Sequence, residues 1–422
     1  MIRSVFLLVS SLALVPAAAA ATDVVKVIKH PAYQKSVAVL DREHDRIVAD
    51  IVTLTEIPAP PFQEKARGNA YLEMLRAAGL GDVEMDEEGN VLGVWRGTGP
   101  AGGPMVAIAA HLDTVFPAGT PIKVRREGTR LSAPGIGDDT RSLAVLLGYV
   151  RAMREAGVRT GRDILFVGNV GEEGPGDLRG VRHLFTKGRY KDRIKTFFSM
   201  DGTDGKRIVN GGVGSRRYRV TFKGPGGHSY GAFGLVNPMT AMSQTVVDLY
   251  RITPPKTPKT TYAASVTGGG TSVNSIPDQV YMEFDMRSVS ADALAALEKQ
   301  FLGIVAASVE TENKARSTRE GPISADPKLI GDRPAGGTPE DSALVQMARR
   351  AVEAHGLEPE LTASSTDSNL PMSLAIPAVT IGSGGSGGRA HSLDEWIDVE
   401  KGASLKGMLP GLTMLLAAAD LR

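Results

Sequence analysis

Four short stretches of almost unbroken apolar character set the strongest limit on how this chain folds. They are Pro104–Ala110, Asp163–Val170, Ile194–Met200 and Pro377–Ile381. A strand with one face in water alternates apolar and polar residues. A run that is apolar throughout and bounded by turns suits a strand covered on both faces, as in a parallel sheet. Helical periodicity lies between the runs, as at Ser142–Ala156, and before them from Ser36 to Ala78, with a break around Pro58–Pro61. This alternation predicts an α/β layer with helices around a mostly parallel sheet.

The middle of the chain follows another rule. Ser215–Lys223, Thr260–Thr267 and Gln279–Arg287 alternate, and Val236–Ile252 reads as a helix begun by Asn237 and Pro238. In Gln279–Arg287, Val280, Met282, Phe284 and Met286 share one face, and Tyr281, Glu283, Asp285 and Arg287 the other. This predicts a small α+β unit, residues 212–322, inserted into a catalytic domain formed by residues 22–211 and 323–422. Its expected hinges are Asn210–Gly214 and the polar segment Arg316–Asp326.

The N-terminus reads as a signal peptide over residues 1–21: Arg3, an apolar run from Val5 to Val15, Pro16, then alanines to Ala21. The run is short for a membrane span, so the expectation is an exported, periplasmic or secreted protein with no stable membrane anchor after cleavage. The net charge is +1 and the basic residues do not cluster, which argues against nucleic acid as a partner. The chain has no cysteine, which excludes disulfides, thiol catalysis and thiolate metal ligands.

Acidic and imidazole residues follow the apolar runs or glycine turns. They are His111 and Asp113 in Ala-Ala-His-Leu-Asp-Thr, Asp138 in Gly-Ile-Gly-Asp-Asp, Glu172 and Glu173 in Gly-Glu-Glu-Gly, Asp201 in Ser-Met-Asp-Gly, and His391 in Arg-Ala-His-Ser. Ligands of open α/β sheets gather beyond the carboxyl ends of the strands, where these residues would lie. Imidazole and carboxylate suit zinc or a similar ion, and a remaining carboxylate can act as a base. Within the Asp138-Asp139 pair, one acid either caps the following helix or bridges two ions. Adjacent Glu172 and Glu173 point in different directions, so one suits a metal and the other the substrate water.

Taken together and in order, His-Leu-Asp-Thr, Gly-Ile-Gly-Asp-Asp, Gly-Glu-Glu-Gly, Met-Asp-Gly, Gly-Gly-His-Ser and Ala-His-Ser-Leu-Asp-Glu resemble the M20 metallopeptidase family. That family includes peptidase T-like aminopeptidases, dipeptidases, carboxypeptidases and aminoacylases. The resemblance implies a zinc-peptidase-like catalytic domain with a ferredoxin-like lid or dimerisation domain. It implies two divalent metal ions, zinc, cobalt or manganese, with Asp138 bridging. His111 and Asp201 would complete one site, and Glu173 and His391 the other. Glu172 would be the general base, and Asp113 would hold the His111 imidazole. A cis peptide would fall between Asp138 and Asp139. His228 would reach the substrate carbonyl, in trans if the protein is a homodimer through the lid. Asn274 and Arg287 would hold a substrate carboxylate, and the loop Gly382–Gly388, with Gly384 and Gly385, either supplies backbone N–H groups to it or is merely flexible.

The chain departs from relatives at Thr140 and Arg141, and the arginine either alters the pocket or points away from it. The polar segment Thr366–Asn369 has no assigned role. The expected activity is a secreted di-metal exopeptidase of aminopeptidase or dipeptidase type acting on short peptides, since the family's carboxypeptidases tend to have glutamate where Asp201 stands. The alternatives are an N-acyl-amino-acid amidohydrolase, a carboxypeptidase and, more remotely, a non-catalytic periplasmic binding protein.

Overall fold

The computed structural model describes residues 24–422, so the expected signal peptide at residues 1–21 lies outside the described residues. The four apolar runs are the four central strands of a nine-stranded sheet. Met105–His111 lies between Asp163–Asn169 and Ile194–Met200, parallel to both, and Ala378–Ile381 adds in parallel to the second. Beyond them the pairing turns antiparallel: Val91–Trp95 and Gly81–Met85 follow on one side, and Arg207–Gly212 on the other, which is itself flanked by Gly336–Gly337 and, in parallel, by Glu360–Ser364.

Each central strand is apolar throughout because both its faces are covered. From Met105–His111, Val106, Ile108 and Ala110 enter a layer of helices that includes Pro31–Arg42, His44–Thr55, Arg141–Ala156 and Lys401–Ala418. Met105, Ala107 and Ala109 enter the opposite layer, under Arg179–Thr186 and Asn369–Ser373. Period-two geometry forces this split, and each large apolar side chain so covered contributes roughly 1.5–3 kcal/mol. No helix among the described residues is long and apolar enough to cross a membrane.

A second, antiparallel sheet runs in the order Thr260–Gly269, Gln279–Ser288, Gly214–Lys223, Ser324–Arg333. Helices Pro238–Leu249 and Ala291–Ala315 cover one face, burying Val220, Phe222, Phe284 and Met286 against Leu297 and Phe301. Asn237 and Ser290 cap these helices, accepting from the backbone N–H of Met239 at 2.9 Å and Ala293 at 3.3 Å.

The fourth strand differs from the sequence expectation, which ended this unit at residue 322 and made Arg316–Asp326 a hinge. Ser324–Arg333 pairs antiparallel with Gly214–Lys223, from Ser324 opposite Lys223 to Arg333 opposite Ser215. It is an edge strand, largely exposed and carrying Pro327, so it lacks the alternation that marks a half-buried strand. The chain passes between the sheets at Val213 and Pro334. The Asn369 side-chain amide donates to both carbonyls, at 2.9 and 3.0 Å. Asn369 thereby ties the otherwise unexplained Thr366–Asn369 segment to both crossings.

Candidate metal centre and active site

His111 is the last residue of its strand, and its backbone N–H donates to the Asp139 carboxylate at 3.1 Å. Asp138 sits in an irregular turn, Ile136–Thr140, ahead of helix Arg141–Ala156, and the Asp138–Asp139 peptide bond is cis. Gly135 enters this turn at φ 75°, and a Cβ there would lie 2.6 Å from Thr114 Cγ2, so the position requires glycine. The buried Glu395 carboxylate holds the turn from outside. It accepts from the N–H groups of Gly135, Gly137 and Asp138 at 2.9, 2.7 and 2.9 Å. Sequence reasoning did not single out Glu395, although it ends the Ala-His-Ser-Leu-Asp-Glu motif.

The two oxygens of Asp138 face different histidines. Oδ1 lies 2.9 Å from His111 Nε2, and Oδ2 lies 3.1 Å from His391 Nε2. Glu173 Oε1 meets the same His391 nitrogen at 2.8 Å. Ligand-type atoms of His111, Asp138 and Asp201 lie within 4.8 Å of one another, as do those of Asp138, Glu173 and His391. His111, Glu172 and Glu173 form a third such group. Hydrogen bonds with Asp138 and Glu173 push His391 up to about 10, and burial, then the Asp138 charge, pushes Asp201 up to about 6. So concentrated a set of carboxylates calls for cations, and two donor triads sharing one carboxylate suit a pair of divalent ions.

Asp113 stands behind this set, fully buried. Its carboxylate accepts from the N–H groups of Glu172 and Glu173 at 3.0 and 2.9 Å, while its carbonyl lies 3.0 Å from His111 Nδ1. It therefore orients both glutamates as well as the imidazole. Burial would raise its pKa, but His111 and the two N–H groups hold it below the usual range. Burial drives Glu172 well above the usual range, even with buried Arg333 beside it. Arg333 Nη1 donates to Glu172 Oε1 at 3.1 Å, and Nη2 donates to the Glu172 carbonyl. Nothing local in the sequence marks Arg333, whose partner lies 161 positions away.

A cavity of about 400 Å³ opens above the cluster. Asp138, Glu172, Glu173, Asp201 and His391 line it together with Arg207, Arg217, Arg287 and Arg333. Arg287, expected to hold a substrate carboxylate, is among these lining residues. His228 and Asn274 are not among the lining residues. They lie exposed on the second sheet's loops, with the His228 ring accepting from Tyr230 N–H at 3.2 Å and the Asn274 carbonyl from Ser229 N–H at 2.8 Å. Gly384 and Gly385 do not line the cavity either. A Cβ on Gly384 would lie 2.4 Å from the Gly407 carbonyl carbon, and one on Gly385 would lie 2.8 Å from Arg141 Nη2. These glycines let a loop and a helix touch, and Gly387 and Gly388 are the loop residues that line a smaller cavity beside Asp138 and Asp201. Arg141 points away from the cluster, fully buried and donating to Ser404 Oγ at 3.2 Å. Thr140 bonds Thr55 Oγ1 at 2.6 Å.

The profile of peptidase family M20/M25/M40 matches residues 107–419, most of the chain. The chain belongs to this family. Carboxypeptidase G2 of Pseudomonas sp. (strain RS-16) is 27% identical over 229 residues, 54% of this chain and 53% of that protein. The match thus spans about half the length of that relative. The aminopeptidase PepT of Bacillus cereus ATCC 10987 superimposes with a TM-score of 0.71 at 20% identity, over 89% of this chain and 99% of PepT. The Bacillus subtilis YXEP protein, a dinuclear metal binding peptidase from the M20 family, does so with 0.65 at 17% identity, over 90% and 99%. At these identities the likeness shows the fold, a mixed α/β architecture around a mostly parallel central sheet.

Proposed function

We propose that this protein is a di-metal exopeptidase that hydrolyses short peptides. The observation that carries this reading is the pair of donor triads sharing Asp138, with Glu172 facing the same cavity. Asp138 would bridge, His111 and Asp201 would hold one ion, and Glu173 and His391 the other. Two divalent ions held there would acidify a bound water and polarise the scissile carbonyl. The metal is zinc, cobalt or manganese on the chemistry of its nitrogen and oxygen donors.

The protein's own groups then have defined tasks. Glu172 takes the proton of the attacking water and returns it to the leaving amine. Arg333 ties down Oε1 of that carboxylate, which leaves Oε2 for the proton. Asp113 fixes the backbone of both glutamates, so that Glu172 and Glu173 keep their separate roles. Arg287 receives the substrate carboxylate with its planar guanidinium. The cavity lies at the small end of the range for ligand sites, which favours di- and tripeptides over longer chains.

The second sheet and its helices act in this reading as a lid and as the contact between two subunits. His228 is exposed and outside its own chain's cavity, beside Tyr230 and Phe233, which are 90% and 82% exposed. A second copy would cover these rings and receive His228 at its substrate carbonyl. Light scattering tests this; a monomer in solution removes the role in trans. Export to the periplasm or medium is part of the same proposal and rests on the N-terminal sequence.

A carboxypeptidase reading is favoured by the arginines of the cavity and by the sequence match to carboxypeptidase G2. The deciding experiment is hydrolysis of di- and tripeptides by the metal-loaded protein, with N-acetylated and C-amidated versions, with and without chelator. Chelator-sensitive cleavage that requires a free amine supports the aminopeptidase or dipeptidase reading. A requirement for the free carboxylate alone supports the carboxypeptidase, and preference for the N-acylated compounds supports an amidohydrolase. No cleavage with any metal removes the exopeptidase reading.

A further inference from the structure

The charges around the large cavity do not balance. The two donor triads hold three carboxylates, Asp138, Glu173 and Asp201, and two divalent ions would more than match them. Arg333 is already committed to Glu172 at 3.1 Å. Arg217 and Arg287 share one counter-ion, Asp285, through their Nε atoms at 3.2 and 2.6 Å. Arg207 makes no salt bridge with any described residue, and its hydrogen bond is from Nε to Thr362 Oγ1 at 3.4 Å. Two guanidinium charges are therefore left over: one from the Arg217–Arg287 pair and one from Arg207. A partly buried guanidinium without a carboxylate costs free energy unless a ligand supplies the anion.

The two charges also sit in different places. Arg217 and Arg287 belong to paired strands of the second sheet. Arg207 begins a strand of the large sheet that lies between Ala378–Ile381 and Glu360–Ser364, and it lines both the large cavity and the smaller one, about 210 Å³, that holds Thr203 and Trp396. Asp138 and Asp201 line the same two cavities. A substrate whose amide lies over that pair of carboxylates has one anionic position toward the second sheet and another at Arg207.

The geometry points to an acidic substrate class: short peptides or acyl amino acids carrying a second carboxylate, an aspartyl or glutamyl side chain, which Arg207 receives. This inference rests on the hydrolase reading and adds to it the selectivity of the same site. Arg207 is then the residue that sets preference, and the Arg217–Arg287 pair takes the terminal carboxylate. A guanidinium facing a carboxylate instead of an amide supplies about 10- to 100-fold through charge-assisted hydrogen bonds.

The experiment has two arms. In the first, calorimetry compares glutarate with its monoamide as ligands of the metal-loaded protein, which reads the anion site whether or not anything is hydrolysed. In the second, kcat/KM is compared for Ala-Glu against Ala-Gln and for acetyl-Glu against acetyl-Gln. The expected result is a preference for the acidic member in both arms, by about 10- to 100-fold, that collapses toward one in Arg207→Gln and largely survives in Arg207→Lys. Metal content and melting curves of both variants are measured alongside. If Arg207 only balances the charge of Asp201, Arg207→Gln lowers every substrate alike and the ratio stays as it was, which overturns the inference. Equal binding and equal turnover of the paired compounds in the wild type overturn it too, while leaving the peptidase reading intact. A binding preference without turnover of any compound does the reverse: the anion site stands and the peptidase reading falls.

Discussion

Replacing Glu395 tests how much of the metal centre is built by groups that would never touch a metal. Three backbone N–H groups of the Asp138 turn, those of Gly135, Gly137 and Asp138, depend on its carboxylate. All lie in the interior, where a donor without an acceptor costs roughly 1–3 kcal/mol. Glu395→Ala strands all three. Some of that cost is recovered if water enters the space, so the expected loss is about 3–6 kcal/mol rather than the full sum. Glu395→Gln is the sharper probe. Its one carbonyl oxygen still serves Gly137 and Asp138, the pair bonded to Oε1, but its amide now faces the Gly135 N–H, donor against donor. One stranded group predicts a loss of about 1–3 kcal/mol. Burial, then the Asp138 charge, pushes Glu395 up to about 7, so urea unfolding of the metal-free variants belongs at pH 8, where the carboxylate is ionised. A zinc titration against a competing chelator should show affinity falling by about 10- to 100-fold, as expected when the support of a ligand is removed. If Glu395→Ala unfolds within about 1 kcal/mol of wild type and binds zinc equally well, the turn holds its own shape, and the account of Glu395 is wrong.

Three further outcomes are expected. Glu172→Gln should retain both metals and lose about 10²- to 10⁴-fold in kcat; loss of metal by elemental analysis would mean that Glu172 and Glu173 exchange roles. Asn369→Ala removes the donor to the carbonyls of Val213 and Pro334, and should cost about 2–4 kcal/mol and raise amide exchange at both crossings; unchanged exchange there would refute its role as their tie. Burial holds His44 and His355 below the usual imidazole value, so the unfolded chain binds more protons below about pH 6.5. Their own contribution to stability should therefore fall as pH drops from that value; the urea midpoints of wild type and His355→Gln, compared across pH 5–8, should differ by that part of the fall.

The central sheet was legible because burial on both faces leaves a local mark. Four apolar runs became four adjacent parallel strands, and the alternation in Gln279–Ser288 placed Phe284 and Met286 inward. Strand Ser324–Arg333 left no such mark, since an exposed edge strand with a proline carries no period. The candidate site divides the same way. His111 ends a strand, and Glu172, Glu173 and Asp201 follow strands closely, so a motif and a strand end suffice to bring them together. Glu395, Arg333 and Arg207 gain their meaning from partners far away in the chain, and no local spacing records that. Gly384 and Gly385 lie against Gly407 and Arg141, outside the large cavity, and in sequence a glycine loop that cradles a ligand and one that admits a neighbouring helix read alike. His228 and Asn274 lie beyond the reach of the single chain's cavity, and their assignment turns on a second subunit.

The arrangement of charge gives the proposed reaction its direction. The floor of the cavity is a cluster of carboxylates at the ends of parallel strands, and its walls are guanidinium groups. In the proposed reaction the two layers would orient a ligand before any chemistry: its carbonyl toward cations held by the carboxylates, its anionic groups toward the arginines. Arg333 stands where the layers meet, bound to Glu172 by side chain and backbone. A proton on Glu172 would weaken that ion pair, and release of the proton to the leaving amine would restore it. Arg333 therefore favours the charged form of the base at the start of each turnover and again at its end. Burial, which pushes Glu172 upward, gives the carboxylate its affinity for the proton in between. Neither influence alone suits a group that must both take a proton and give it back; their opposition does.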